Sequence, residues 1–323
     1  MELKTVNPTS IIKAEDVEIL PSDDFIKANT KSILFENLME DSIIPVFAKD
    51  NVPTISHQDF IETAYSVSDF IFKGETIVKP TIKVSHPIKG RIPEAKFKDP
   101  KDLLEYEKTI YYERMAFLID IPSITDQISG NKLSLTVGGV RAYNHENLYS
   151  KKTAERFKIF IGFKNWVCTN LCISTDGLKT NLRVNNIDEL GQGISRLIKE
   201  FNMSQQINNL SRLMNYSITE NQFAQLIGRS KMYQYLPIKY KKELFEFPLV
   251  DSQVSTITKD YYHDKSFCRN PDGDINLWSL YNLFTGANKS SYIDTFLERG
   301  KNCSEFINII AKNVQNKQFW YLN

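Results

Sequence analysis

The chain has 323 residues, of which 41% are hydrophobic, 12% aromatic and 24% charged, a composition that supports a sizeable core and excludes a wholly disordered polypeptide. Apolar runs stay well short of the roughly 18 residues of a membrane-spanning helix. The sequence does not begin with a basic region followed by an apolar one, as a secretory signal does. We therefore expect a soluble, cytoplasmic protein with no membrane partner. Its four cysteines do not form a secreted disulfide framework and are expected to be reduced.

The net charge of +1 conceals an uneven distribution. Residues 1–76 contain 14 Asp or Glu and 6 Lys, a balance of −8, so residues 77–323 must carry +9. Within the second part, basic residues concentrate at 79–98 and again at 151–164. This density permits polyanion binding, although a solvated surface balanced by the acidic segment explains it equally well.

The N-terminal third is predicted to be irregular and then helical. Residues 1–50 form an irregular acidic segment, and "SHQDFIETAYSVSDFIF" then begins with Ser56 and Asp59 in a capping-box arrangement, which predicts a helix. Three prolines in residues 80–93 discourage a regular interior strand. After them, "DPKDLLEYEKTIYYE" has Leu103, Leu104 and Tyr111 at helical spacing and predicts a second helix.

From Arg114 to Val184 the hydrophobic period changes to two, which predicts an antiparallel meander of about five strands. From Asn186 onward the period is helical. The predicted fold class is α+β: a central antiparallel sheet at 114–184, N-terminal helices and a C-terminal helical part. Residues 51–185 would form the α+β domain, and residues 186–323 a helical region packed on it and not independent of it.

The segment "LSLTVGGVRAYNHENLY" interrupts a strand pattern with two glycines. Leu133, Leu135 and Val137 share one face, and an uninterrupted strand would place Arg141 and Tyr143 on that same buried face. A one-residue bulge at residues 138–139 would reverse the alternation and turn both side chains outward. We therefore predict a bulge at the double glycine.

A bulge would give the sheet an outer face that mixes cations with aromatic rings. Such a face suits a nucleic-acid strand, whose phosphates meet the cations and whose bases stack on the rings. C-terminal helices covering this face would leave the cations only at its fringe, and the sequence does not decide between the two. The candidate nucleic-acid-binding residues are Lys89, Arg91, Arg141, Tyr143, His145, Arg156, Lys158, Phe160 and Lys164.

Other motifs give weaker indications of a functional site. Arg141, Tyr143, His145 and Glu146 could form an enzyme site, because a histidine beside a carboxylate titrates near neutral pH, but a polar turn explains them nearly as well. The segment "FTGANKSSY" could hold a phosphate before a helix, with Gly286, Lys289 and Ser290 as candidates. The cysteines and histidines lack the spacing of a zinc site. We predict no metal, no cofactor and no catalytic residue.

Six long motifs are distributed over nearly the whole chain after about residue 50: "VSHPIKGRIPEAK", "YYERMAFLIDIPS", "GGVRAYNHENLY", "FIGFKNWVCTNLC", "FAQLIGRSKMYQYLP" and "INLWSLYNLFTGANKSSYIDTFLERG". They resemble an uncharacterised family of Bacteroidetes proteins, domain of unknown function 3871. "NHENLY" followed by "VCTN" is also similar to uncharacterised phage/plasmid-like proteins. These resemblances imply residence on mobile elements and supply no established reaction.

The expected function is that of a mobile-element accessory protein that binds nucleic acid without catalysis. Its partner would be DNA, single- or double-stranded. Two alternatives remain open at this point. One is the enzyme site around Arg141. The other is a protein-interaction module that counters a host defence, in which the acidic first 76 residues engage a host or element-encoded protein.

Overall fold

The computed structural model of the protein describes residues 24–42, 54–95, 97–145, 154–316 and 318–323. Seven strands form one antiparallel sheet in the order β1-β2-β5-β6-β7-β8, with β9 also paired to β7. Two small sheets, β3-β4 and β10-β11, are separate from it. The strands are β1 Lys31–Ile33, β2 Thr81–Val84, β3 Pro87–Arg91, β4 Lys108–Tyr112, β5 Arg114–Ile128, β6 Asn131–Ala142, β7 Glu155–Asn165, β8 Leu171–Cys172, β9 Leu178–Val184, β10 Ser217–Ile218 and β11 Ile275–Asn276.

Helices precede and follow this sheet, as predicted for an α+β fold. The five strands β5 to β9 lie in the segment predicted as the meander, so that prediction is confirmed. Within the segment predicted to be irregular, residues 31–41 form β1 and α1. The helices are α1 Phe35–Asp41, α2 His57–Ile71, α3 Ile187–Glu200, α4 Met203–Arg212, α5 Glu220–Tyr233, α6 Ile238–Lys241, α7 Asp251–His263, α8 Leu277–Asn288 and α9 Ile293–Asn313.

The first face of the sheet is covered by α2 and the C-terminal helices. The capping box predicted at Ser56 and Asp59 is present and starts α2 at His57. Phe60 of α2 then packs edge-on against Phe117 and Phe157, with ring centroids 5.0 and 4.8 Å apart. This face and the helices share one large apolar core, so the C-terminal helical part packs directly on the sheet.

The second face of the sheet is covered as well. Phe160 and Val140 belong to a smaller core with Phe296 of α9 and with Phe25, from the segment before β1. The rings of Phe25 and Phe296 are 6.2 Å apart, and the backbone N–H of Lys27 donates to the carbonyl of Lys289 at 2.7 Å. Both faces of the sheet are therefore buried at its centre.

The double glycine does not form a bulge, so that prediction is wrong. The pairing of β5 with β6 runs in unbroken register from Arg114–Ala142 to Ile121–Leu135, through both glycines. A side chain at Gly139 would overlap the ring of Phe60, and one at Gly138 would overlap the Phe117 carbonyl and the Phe160 ring. The glycines are needed because aromatic rings lie directly on both sides of the strand.

The register shift between β5 and β6 lies elsewhere, between Ile121 and Thr125 of β5. Residue Pro122 falls within this interval. Because proline has no backbone N–H, it cannot donate to the ladder of hydrogen bonds. The physical cue for an irregularity was therefore this proline rather than the glycine pair.

The prediction of a second helix is also wrong. Its residues form two short 3₁₀ turns, Pro100–Asp102 and Glu105–Glu107, followed by β4. Strand β4 pairs with β3, which begins at Pro87, and the two continue the β2-β5 hairpin as a separate two-stranded arm. Residues 109–112, Thr-Ile-Tyr-Tyr, have high strand propensity, and pairing with β3 decides their conformation.

Candidate nucleic-acid interface

Arg141 lies in the protein interior, because the register is unbroken at the double glycine. Its side chain is fully buried and forms an ion pair with Glu155, which is also buried. The guanidinium lies 4.1 Å from the ring centroid of Phe157 and 4.8 Å from that of Tyr143. Glu155 also accepts a hydrogen bond from the backbone N–H of Ile55 at 3.2 Å. This pair ties the start of β7 to the end of β6 and to the entry into α2.

His57 extends this buried polar cluster. Its Nε2 lies 2.7 Å from the carbonyl oxygen of Tyr112, to which it donates, and its ring centroid is 4.6 Å from that of Tyr143. Burial, assisted by the positive charge of Arg141, lowers the pKa of His57 to about 3, even though the hydrogen bond to the Tyr112 carbonyl acts in the opposite direction. The imidazole is therefore neutral near pH 7. Sequence reasoning did not single out this histidine, which is the first residue of α2.

The residues considered for an enzyme site lie in two different environments. Arg141 and Tyr143 belong to the buried cluster, whereas His145 is exposed and its Nε2 is 3.3 Å from Oδ2 of Asp294 in α9. Glu146 lies outside the described residues.

The second face of the sheet uses most of its predicted binding residues for packing and ion pairs. Phe160 is buried in the smaller core. Lys164 is buried and forms an ion pair with Asp120, which also accepts a hydrogen bond from Thr136 at 2.7 Å. Lys158 is partly buried and forms an ion pair with Glu298 of α9. At these positions, the sheet face that the sequence suggested to be open is therefore covered.

Of the nucleic-acid-binding residues predicted on β7, Arg156 is the exposed one. It lies directly opposite Arg183 of β9, which is exposed as well. Nε of Arg183 donates to Oδ1 of Asn181 at 3.4 Å. Within the described ranges, no carboxylate forms an ion pair with either arginine. The sequence did not identify Arg183, because its position opposite Arg156 depends on the β7-β9 register.

Lys89 and Arg91 lie on β3 in the two-stranded arm. Lys89 is exposed, whereas Nη1 of Arg91 donates to the carbonyl of Lys98 and so holds the tip of the arm together. Lys98 in turn forms an ion pair with the buried Glu107. Of the two predicted residues, Lys89 is the one with its charge directed to solvent.

The predicted phosphate site lies at the C-terminal end of α8. Gly286 is in its last turn, Lys289 follows it, and Ser290 is exposed. The Lys289 ammonium is buried and donates to the carbonyl of Cys168 and, at 2.8 Å, to Oγ1 of Thr169. Lys289 therefore fixes the turn before β8 to helix α8.

The described residues contain no group of three or more His, Cys, Asp or Glu side chains arranged to hold a metal ion. All four cysteines lie within the described residues and form no disulfide with one another. Cys172 and Cys303 are buried, and Cys168 and Cys268 are half-buried. Across the ranges that the structure describes, no helix has both the length and the apolar character to cross a membrane.

The geometry defines an α+β protein with a sheet buried on both faces and a pair of exposed arginines at one end of it. A family model described as "Domain of unknown function, B. Theta Gene description (DUF3871)" matches residues 6–322. The chain therefore belongs to this family, as its motifs predicted. No curated protein and no solved structure matches it.

Proposed function

We propose that this protein binds nucleic acid without catalysis, as an accessory protein of a mobile element, and that Arg156 and Arg183 form the main phosphate contact. The observation that carries the proposal is the position of these two exposed arginines, directly opposite each other on β7 and β9. The binding residues differ from the open sheet face that the sequence suggested.

Two like charges at opposed positions destabilise a pair of strands. Side chains at such positions have Cβ atoms about 5 Å apart, so the two guanidinium groups repel each other unless an anion lies between them. Arginine presents a planar fork of donors that matches the oxygens of a phosphate. A phosphate bound between Arg156 and Arg183 would turn this repulsion into two favourable contacts.

Neighbouring residues support a polymer as the ligand better than a single small anion. Lys179 is a further exposed cation on β9, four residues from Arg183. Several cations close together suit the repeated phosphates of a polymer. Lys89 on the two-stranded arm offers a further exposed cation.

The two arginines could serve another purpose, because β9 pairs with β7 alone in the described sheet and is therefore an edge strand. Charged side chains on an edge strand deter pairing with a second chain. Under this alternative, removing the arginines would promote self-association and would leave nucleic-acid binding unchanged. The two roles therefore predict different results for the same variant.

The test is fluorescence anisotropy with labelled single- and double-stranded DNA over a range of salt concentrations. We expect Arg156→Gln/Arg183→Gln to weaken binding to both DNAs and to lower the slope of log K against log salt by about 2 for the duplex. Lys259→Gln/Lys265→Gln removes the same charge from exposed positions in and after α7 and serves as the matched control. Equal binding by both variants and the unmodified protein would refute the proposed contact.

A further inference from the structure

The connection between α5 and α6 presents large apolar side chains to solvent. Tyr235 is 85% exposed, Ile238 74%, and Tyr240 and Met232 are both 53% exposed. Lys239 and Lys242 are exposed among them. We call these six residues the α5–α6 surface. So many exposed apolar groups within nine residues indicate an interaction surface.

This surface is held in shape by its own backbone and by one lysine. Helix α5 begins with a capping box between Thr219 and Gln222. At the other end, Nζ of Lys241 donates to the carbonyl of Gln234 at 2.8 Å and lies over the ring of Tyr233. The exposed rings are therefore mounted on a fixed turn, and a ligand need not order them first.

Positive charge predominates in this region, although the exposed Glu243 follows it directly. Residues 229–242 contain five Lys or Arg and no Asp or Glu. Three of these cations have partners: Arg229 donates to the Asn323 carbonyl, Lys231 lies 3.5 Å from Asp251, and Lys241 caps the turn. Lys239 and Lys242 form no ion pair with a described carboxylate, which leaves them available to an anion.

The arrangement of the exposed groups decides between kinds of anionic partner. Consecutive helical residues are about 100° apart, so Ile238 and Tyr240 point in widely different directions, with Lys239 between them. A membrane surface requires one continuous apolar face. Rings separated by cations instead suit single-stranded nucleic acid, in which bases stack on aromatic side chains and phosphates meet the cations. A duplex keeps its bases stacked inside and cannot use the tyrosines in this way.

We propose that the α5–α6 surface binds single-stranded nucleic acid, with bases stacked on Tyr235 and Tyr240 and phosphates at Lys239 and Lys242. This inference rests on the proposed function, since it takes nucleic acid as the ligand, and it assigns the preference for single strands to a second site. Arg156 and Arg183 contact phosphates in either form of DNA, whereas the tyrosines contact only unpaired bases.

The experiment measures anisotropy of labelled oligo(dT) and of a duplex of equal length with the full chain. We expect Tyr235→Ala/Tyr240→Ala to weaken oligo(dT) binding by at least about 5-fold, since each stacked base contributes about 1 to 3 kcal/mol. Duplex binding should be unchanged. Tyr235→Phe/Tyr240→Phe keeps the rings and should restore binding. Photocrosslinking to an oligonucleotide with 5-iodouracil should label residues 235–240.

The results distinguish failure of this inference from failure of the proposed function. If the unmodified protein binds neither DNA, both fail. If the tyrosine variant binds oligo(dT) normally while Arg156→Gln/Arg183→Gln does not, only the α5–α6 inference fails. Sedimentation with phosphatidylglycerol vesicles that depends on Tyr235 and Tyr240, together with unchanged oligo(dT) binding, would also overturn it in favour of a membrane surface.

Discussion

Arg141 and Glu155 form an ion pair whose side chains are 0% and 2% exposed. Removing one charge of a buried ion pair typically costs about 3 to 5 kcal/mol, because the desolvated partner loses a counter-charge. We therefore expect Glu155→Gln to lower the free energy of unfolding by about this amount, as measured by urea denaturation. Glu105, which forms an exposed pair with Lys108 at 2.5 Å, provides the control. Glu105→Gln should change stability by less than about 1 kcal/mol, and a similar loss in both variants would contradict the prediction.

The double glycine gives a second prediction about stability. A methyl group at Gly139 would overlap the Phe60 ring, so Gly139→Ala should destabilise the protein by about 1 to 3 kcal/mol, as expected for overpacking. Gly228 lies inside α5 with open space around it. Gly228→Ala should therefore stabilise the protein by about 0.5 to 1 kcal/mol. Opposite signs in thermal or urea unfolding would confirm the close packing at Gly139, and stabilisation by both would contradict it.

His57 makes stability depend on pH. Its pKa is about 3 in the folded protein and near 6.5 when unfolded. Between these values the unfolded chain binds a proton that the folded chain does not, so the folded state loses stability as pH falls from about 6.5 toward 3. The loss approaches about 1.4 kcal/mol per pH unit.

The measurement compares the unmodified protein with His57→Gln by urea denaturation at several pH values from 4.5 to 7.5. Because ionisable groups other than His57 are common to both proteins, the difference between their pH slopes isolates the histidine. We expect a steeper fall on the acid side for the unmodified protein. Parallel curves would show that His57 is protonated, or accessible to solvent, in the folded state.

The four thiols should divide into two classes of reactivity. Burial raises the pKa of the Cys172 and Cys303 thiols well above the usual range, and the thiolate is the reactive form. Cys168 and Cys268 are half-buried. Ellman's reagent should therefore label up to two thiols in the native protein and four in urea. Cys268→Ser should remove one native site, and rapid labelling of all four native thiols would contradict the burial.

Hydrophobic periodicity was sufficient to predict the meander, the capped start of α2 and the major C-terminal helices. It failed for residues 100–112, where Leu103, Leu104 and Tyr111 have helical spacing but the distant partner strand β3 determines the structure. Local propensity cannot anticipate such a pairing. The bulge prediction failed for a similar reason, since the rings that require Gly138 and Gly139 come from other elements.

The candidate site was predictable only in part. Phe160, which the sequence analysis placed on the outer face of the sheet, does lie on the face opposite Phe157. Whether a helix covers the second face depends on where α9 packs, which no local pattern encodes. The pairing of Arg156 with Arg183 depends on a register shift between Phe157 and Ile159. Side-chain direction was therefore readable from the sequence along β7 but not at Arg141 and Tyr143, and exposure was not readable on either strand.

The contact between Phe25 and Phe296 has a consequence for synthesis of the chain. The smaller core needs α9, so a ribosome will have translated the whole sheet well before the helix that covers its second face emerges. During that interval Val140 and Phe160 remain open to other nascent chains. Fragments that end before residue 293 should for this reason require chaperones or aggregate, even though they contain every strand of the main sheet.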